Sequence, residues 1–325
     1  MTTISVVIPA RDAATTLGRC LDALAIEGVP GPAAELIVVD DGSSDATRCI
    51  AARPGTCVLA GSGQGPAAAR NLGARSASGE VLIFLDADTA PLPGWLAELL
   101  APLCDAGVVG VKGAYETRQP GLLPRFVQLE FEHKYARLAK ADRVDFIDTG
   151  TAAFRREAFL AAGGFDERFP AHSAEDVELG FRMAEQGARF VFNPRARVLH
   201  QHPEHLVGYL VTKLRYGLFR ARVYQRHPRK AFGDSYTPPS MALQIGLAGA
   251  SVLLAVLSSA GLRQTRPLLA GALLGFGATT LPLARRAAGS DPGLAPFVPC
   301  LVFARSLAQG TGIAAGLLAL AVRRR

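Results

Sequence analysis

Cysteine is sparse and scattered in this 325-residue sequence. The five residues Cys20, Cys49, Cys57, Cys104 and Cys300 are odd in number and form no CxxC pair, which excludes a disulfide scaffold. Charge is also scarce, at 19% of residues, against about 25% in ordinary soluble proteins. Glycine has no period of three, so a collagen-like fibre is excluded. Hydrophobic residues make up 49% of the chain and the mean hydropathy is +0.22, too apolar for disorder. Met1-Thr2-Thr3 leads straight into Ile4-Ser5-Val6-Val7-Ile8, without a basic segment or a long apolar run. That predicts a cytosolic N-terminal domain with no secretory leader.

Acids are the most unevenly missing residues. Residues 206–325 hold 15 Lys and Arg but 2 acids, whereas residues 1–205 hold 20 Lys and Arg against 26 acids. Nucleic-acid binders present a basic folded face, so no nucleic-acid partner is expected. An acidic body with a basic, apolar tail fits a soluble domain tied to an anionic membrane surface.

From residue 4 short apolar runs alternate with amphipathic stretches. Strands are predicted over 4–10, 35–41, 56–60 and 81–85, and helices over 13–25, 44–53 (capped by Ser43 or Ser44) and 65–77. This alternation implies right-handed crossovers and a parallel sheet, and runs such as VLIFL are apolar throughout, as doubly covered strands must be. Beyond residue 105 the pattern loosens: a strand near 108–115, a helix over 122–140, a strand or loop over 145–154, helices over 157–162 and 174–186, and a strand over 189–200. The reading is α/β, with a mostly parallel sheet flanked by helices over 1–202.

Residues 203–238 form an amphipathic segment, with Leu206, Leu210, Leu214 and Leu218 interleaved with Lys213, Arg215, Arg220, Arg222 and Arg226. It reads as a helix in a membrane interface, or alternatively as an ordinary surface helix. Residues 239–325 form a transmembrane region of two to four segments. Residues 241–262 carry no charge, nor do 267–284, and 293–322 carry only Arg305; runs of this length cross a hydrocarbon core of about 30 Å. Three spans would put Arg323, Arg324 and Arg325 outside, against the positive-inside tendency. Two spans with half-length segments around Arg305 would avoid this, and both arrangements stay open.

The candidate chemistry lies where strands end, since ligands of open parallel sheets bind beyond the carboxyl ends of strands. Phe84-Leu85-Asp86-Ala87-Asp88-Thr89 puts two carboxylates in one turn, a DxD pattern suited to Mg²⁺ or Mn²⁺ with substrate phosphates. Asp40 and Asp41 end the second strand, where a carboxylate can accept an N–H from a nucleotide base. A Gly-rich loop over 61–65 feeds a helix N-terminus, which favours phosphate, and Arg70 follows. No GK[ST] is present, so this is no Walker loop. Glu175 and Asp176 open a predicted helix, where acids suit the dipole or where Asp176 serves as a general base. His200 and His202 follow the last strand as surface histidines or as a metal ligand.

In order, SVVIPA, VVDDGSSD, ARNLG, FLDAD, GGFDE and the ED helix opening together resemble glycosyltransferase family 2 over residues 3–200, and the tail resembles its membrane-attached members. The resemblance implies a GT-A fold. It implies Pro9 and Ala10 lining a base pocket, Asp41 (or Asp40) bonding the base, and Arg70 near the nucleotide. It places Asp86 at the ribose or metal, and Asp88, with His200, at Mg²⁺ or Mn²⁺. Thr149-Gly150-Thr151 would lie beneath donor sugar and acceptor, and Asp176 would be the catalytic base with Glu175 beside it. The implied activity is inverting, metal-dependent transfer from a UDP- or GDP-linked sugar to a hydroxyl of a lipid or glycan acceptor. The implied location is the cell membrane, multi-pass, with the catalytic domain on the cytoplasmic side.

The QxxRW signature of processive synthases is absent; Lys213-Leu214-Arg215-Tyr216-Gly217 stands there instead, which favours single addition. A haloacid dehalogenase phosphatase would want Thr or Val four residues after Asp86, where Ala90 stands. The competing class is a catalytically inactive membrane scaffold that keeps the fold, against which stands the presence of Asp41, Asp86, Asp88 and Asp176.

Overall fold

The computed structural model describes residues 2–169, 173–235 and 237–322. Arg323, Arg324 and Arg325, whose side of the membrane bears on the span count, lie outside the described residues. The chain forms two compact units: Met1–Arg118 with Tyr135–Gln201, and Gln119–Lys134 with His202–Arg325.

In the first unit, β1 (Ile4–Ala10), β2 (Ala34–Asp40), β3 (Thr56–Ala60) and β4 (Val81–Leu85) alternate with α1 (Leu17–Ile26), α2 (Thr47–Ala51) and α3 (Pro66–Ser76). Then come β5 (Thr89–Pro91), α4 (Trp95–Leu100), β6 (Val108–Glu116), α5 (Leu122–Leu138), β7 (Thr151–Arg155), α6 (Arg156–Ala161), α7 (Glu175–Glu185) and β8 (Arg189–His200). One eight-stranded sheet runs β3-β2-β1-β4-β7-β6-β8-β5. The β3-β2-β1-β4 half is parallel. β7 then runs antiparallel to both β4 and β6, so the sheet is mixed. Every residue of β4 is buried. Its Phe84 meets Phe154, Phe159 and Phe165 at ring-centroid distances of 5.9, 5.1 and 5.4 Å, the edge-on and tilted packing that aromatic quadrupoles favour.

The helix expected over 44–53 is shorter, and neither Ser43 nor Ser44 caps it. Asp45 Oδ1 accepts from the Thr47 amide at 2.9 Å. The serines turn instead to Asp12: Ser43 Oγ accepts from the Asp12 amide at 3.0 Å, and Asp12 Oδ1 accepts from the Ser44 amide at 2.8 Å. Asp12 has φ +48°, a left-handed conformation that a non-glycine residue holds only with such local bonds.

The second unit contains the first part of α5, α8 (Leu206–Arg226), α9 (Ser240–Ser259), α10 (Arg266–Ser290) and α11 (Val298–Val322). Among the described residues three helices are long and apolar enough to cross a membrane. α11 runs unbroken through Arg305, so half-length segments around that residue are not formed. Arg305 is buried and donates to Glu130 of α5, while its Nη2 donates to Gln244 Oε1 of α9 at 2.5 Å. Glu130 Oε2 also accepts from Tyr209 Oη at 2.8 Å and from Lys213 Nζ at 3.4 Å, both on α8. A charge in an apolar bundle is sustained only by such pairing. α8 lies directly on α11: a Cβ at Gly312 or Gly316 would overlap the carbonyls of Leu214 or Leu218, the small-residue packing that lets helix backbones meet.

Candidate active site

The site is built at the carboxyl ends of β1, β2 and β4. Asp40 and Asp41 end β2 beside Ala10, and both carboxylates are buried. Asp40 Oδ1 accepts from the Ser43 amide at 3.1 Å, closing its own turn. Asp41 grips the glycine loop, Oδ1 accepting from Gly63 N at 2.8 Å and Oδ2 from Gly65 N at 2.7 Å. Those two amides are therefore spent on Asp41 rather than offered to phosphate. Gly65 has φ +103°, which only glycine adopts at low cost. Pro9 is half-buried and Ala10 buried at the end of β1.

The Asp86–Asp88 turn follows β4. The Thr89 amide and hydroxyl both donate to the Asp86 carbonyl, at 3.0 and 2.7 Å. The two acids then differ in environment: the Asp86 side chain is 15% exposed, Asp88 43%. β8 pairs with β5 so that His200 lies opposite Thr89, and His200 Nε2 comes to 3.8 Å from Asp88 Oδ1. An outward carboxylate and an imidazole fit a divalent cation that takes its other ligands from substrate phosphates and water. Among the described residues no group of three His, Cys, Asp or Glu is arranged to hold a metal alone. His202 is placed in the second unit, its Nε2 3.0 Å from Gln128 Oε1 and its ring stacked on Phe131.

Arg70, expected near the nucleotide, meets the site through Asp86. It is fully buried, with Nη2 donating to Asp86 Oδ1 at 2.7 Å and Nη1 to Glu175 Oε1 at 3.1 Å. It braces the site from beneath because two buried carboxylates need a counter-charge. Glu175 is likewise buried, Oε2 accepting from Ser173 N at 3.0 Å. Asp176, next along, is only half-buried. Burial, then the charges of Glu175 and Asp148, push its carboxyl up to about 7, against the Val177 amide and Arg70. An acid poised there suits proton abstraction at neutral pH.

The loop before β7 supplies no side-chain contact at Gly150, and none fits: a Cβ there would overlap the Tyr115 hydroxyl and come to 2.9 Å from Asp86 Oδ2. Thr149 is buried. Thr151 is fully buried, its Oγ1 accepting from Trp95 Nε1 at 2.8 Å, which makes it a support. Asn71 joins two motifs: its Oδ1 accepts from Phe165 N and its Nδ2 donates to Phe165 O, both at 2.9 Å.

Sequence reasoning missed Lys112, Tyr115 and Asp148. Lys112 is fully buried on β6, its Nζ 2.5 Å from Asp148 Oδ2. Tyr115 Oη donates to Asp148 Oδ1 at 2.7 Å. Burial pulls the Lys112 ammonium below its usual value, against the opposing charge of Asp148. The available signal was one lysine inside an otherwise apolar strand, VVGVKGAY.

Residues 5–161 match the sequence model of glycosyl transferase family 2. The chain is 34% identical over 237 residues to the pre-mycofactocin glycosyltransferase of Mycobacterium tuberculosis, across 70% of this chain and 48% of that one. It is 31% identical over 218 residues to the validoxylamine A glucosyltransferase of Streptomyces hygroscopicus, across 57% and 52%. The chain thus spans about half the length of these curated relatives. The mannosyltransferase PcManGT from Pyrobaculum calidifontis, solved with GDP-Man and Mn²⁺, has a TM-score of 0.63 at 22% identity, covering 98% of this chain and 87% of that one. Glucosyl-3-phosphoglycerate synthase from Mycobacterium tuberculosis, solved with Mn²⁺, UDP and phosphoglyceric acid, has a TM-score of 0.51 at 22% identity, covering 69% and 78%. These likenesses place the mixed sheet and its flanking helices in the GT-A fold. With the family's sequence model matched across β1 to α6, residues 5–161 belong to glycosyl transferase family 2.

Proposed function

We propose that this protein transfers a sugar from a UDP- or GDP-linked donor to a hydroxyl of a lipid-linked or membrane-proximal acceptor, one sugar per encounter, with inversion. The observation that carries the reading is the linkage of Asp86 through Arg70 to Glu175, which sets the half-buried Asp176 beside the DxD turn. Asp176 takes the proton of the attacking hydroxyl, being ionised for about half the time near pH 7. Asp41 keeps the loop over 61–65 folded beside the nucleotide through Gly63 and Gly65. Asp88, with His200 and the open side of Asp86, would hold Mg²⁺ or Mn²⁺. When bound, the cation supplies Lewis-acid stabilisation of the departing diphosphate. The Mn²⁺ and GDP-Man of the PcManGT structure, and the Mn²⁺ and UDP of the glucosyl-3-phosphoglycerate synthase structure, support this choice.

The second unit is proposed as the membrane anchor, in the cell membrane with the catalytic unit on the cytoplasmic side. The basic residues of α8, from Lys213 to Arg226, precede the first long apolar helix, as the positive-inside bias favours. Calorimetric titration of the detergent-solubilised protein with UDP and GDP, with and without Mn²⁺, tests the site. Mn²⁺-dependent binding of one nucleotide, lost in Asp88→Ala, is expected. Binding of neither overturns the assignment in favour of an inactive scaffold.

A further inference from the structure

Resting on the donor site proposed above, we infer that Asp148, braced by Lys112 and Tyr115, is the carboxylate that recognises hydroxyls of the transferred sugar.

The brace is rigid. Lys112 has no exposed side-chain surface, its Nζ lies 2.5 Å from Asp148 Oδ2, and the ammonium sits 4.8 Å from the Tyr115 ring centroid and 5.5 Å from that of Tyr135. Tyr115 Oη holds the other carboxylate oxygen at 2.7 Å. The backbone amide of Tyr115 is itself fixed by Tyr135 Oη at 2.9 Å. Asp148 is therefore held through both carboxylate oxygens, while its side chain remains 16% exposed. A lysine buried to this degree beside a partly open carboxylate fixes where that carboxylate points.

The position is the reacting region. On one side the Tyr115 hydroxyl and Asp86 Oδ2 both border Gly150, where no Cβ fits. On the other, the Asp148 charge is felt by the Asp176 carboxyl. What lies between the carboxylates that meet the nucleotide and the base that meets the acceptor is the sugar being moved. A fixed carboxylate accepts hydrogen bonds from adjacent sugar hydroxyls. A site built to bond a hydroxyl rejects the analogue that lacks it far more sharply than an apolar pocket does.

The test compares how much the sugar adds to nucleotide affinity. UDP, UDP-glucose, GDP and GDP-mannose are titrated with Mn²⁺ into the full chain, into Asp148→Asn and into the double variant Lys112→Met/Asp148→Asn. The double variant removes both charges together and so guards against misfolding of the single one. The wild type should bind one nucleotide sugar more tightly than its nucleoside diphosphate. The variants should lose that gain by about tenfold while holding nucleoside diphosphate affinity within about twofold. Deoxy forms of the bound sugar should be discriminated by the wild type and not by the variants. Folded variants that keep the full gain would show Lys112–Asp148 to be a structural pair only and overturn the inference. A wild type that binds nucleoside diphosphate with no gain from the sugar would overturn it too. A wild type that binds no nucleoside diphosphate would instead remove the donor-site reading, and this inference with it.

Discussion

Arg70 and Asp86 form an ion pair at 2.7 Å in which the arginine has no exposed surface at all. The same guanidinium holds Glu175 at 3.1 Å. Removing one member of a buried cluster strands the charges left behind, at a cost of about 3–5 kcal/mol. Arg70→Met should therefore destabilise the solubilised protein by about that amount in chemical unfolding, and weaken nucleotide binding as Asp86 moves. Arg70→Lys, which cannot fork to two carboxylates, should fall between. A loss under about 1 kcal/mol for Arg70→Met would mean that the pair is not the brace described.

Transfer should rise with pH through about 7 and level off above it, because Asp176 acts ionised and its carboxyl titrates there. Asp176→Asn should abolish transfer. Asp148→Asn should move the rising limb to lower pH in whatever activity remains, since one of the charges that hold the proton on Asp176 is gone. A pH–rate profile of the variant with an unshifted limb would contradict this.

The same carboxyl makes folding pH-dependent. Its folded value lies above the unfolded one, so the native state binds the proton more tightly. Stability therefore falls as pH rises from the unfolded value of 3.8 through about 7. Asp176→Asn should consequently be more stable than the wild type at pH 8, by roughly 1–2 kcal/mol after allowance for solvent screening, and no more stable at pH 4. Thermal melts at the two pH values provide the comparison.

Asp88 and His200 should separate by degree. Asp88→Ala removes the more exposed carboxylate of the turn and should eliminate the Mn²⁺ dependence of nucleotide binding. His200→Ala should weaken the Mn²⁺ response by about tenfold without erasing it, as expected when one of several ligands is replaced by water. Equal effects of the two would place the cation elsewhere.

In the second unit, Glu130→Leu and Arg305→Leu should each be strongly destabilising, by about 3–5 kcal/mol, while the double variant should recover most of the loss. Unfolding in detergent, run as a double-mutant cycle, measures the coupling. Additive losses would show that Glu130 and Arg305 do not depend on one another.

The parallel half of the sheet was legible because its strands are covered on both faces and so read as unbroken apolar runs, as in Val81–Leu85. The short β5 and α4 were not: three residues and six residues give too little periodicity. The candidate acids were read from strand ends and from the ED helix opening, and the resemblance already implied Asp176 as base with Glu175 beside it. What the sequence did not show is that Arg70, far away in the chain, is buried and pairs with Glu175, since burial and pairing are tertiary properties. Lys112 and Asp148 follow no motif, and only their meeting in space gives either a meaning.

Arg305 reaches a carboxylate placed 175 residues earlier in the chain. During synthesis Glu130 emerges long before its closest counter-charge exists, and until then Lys213 is a cation it can meet. The helical unit is thus left electrically unfinished until α11 is made. A ribosome that stalls, or a message cut, upstream of residue 305 would release a chain whose Glu130 lacks its buried arginine partner. Such a product would be open to proteases.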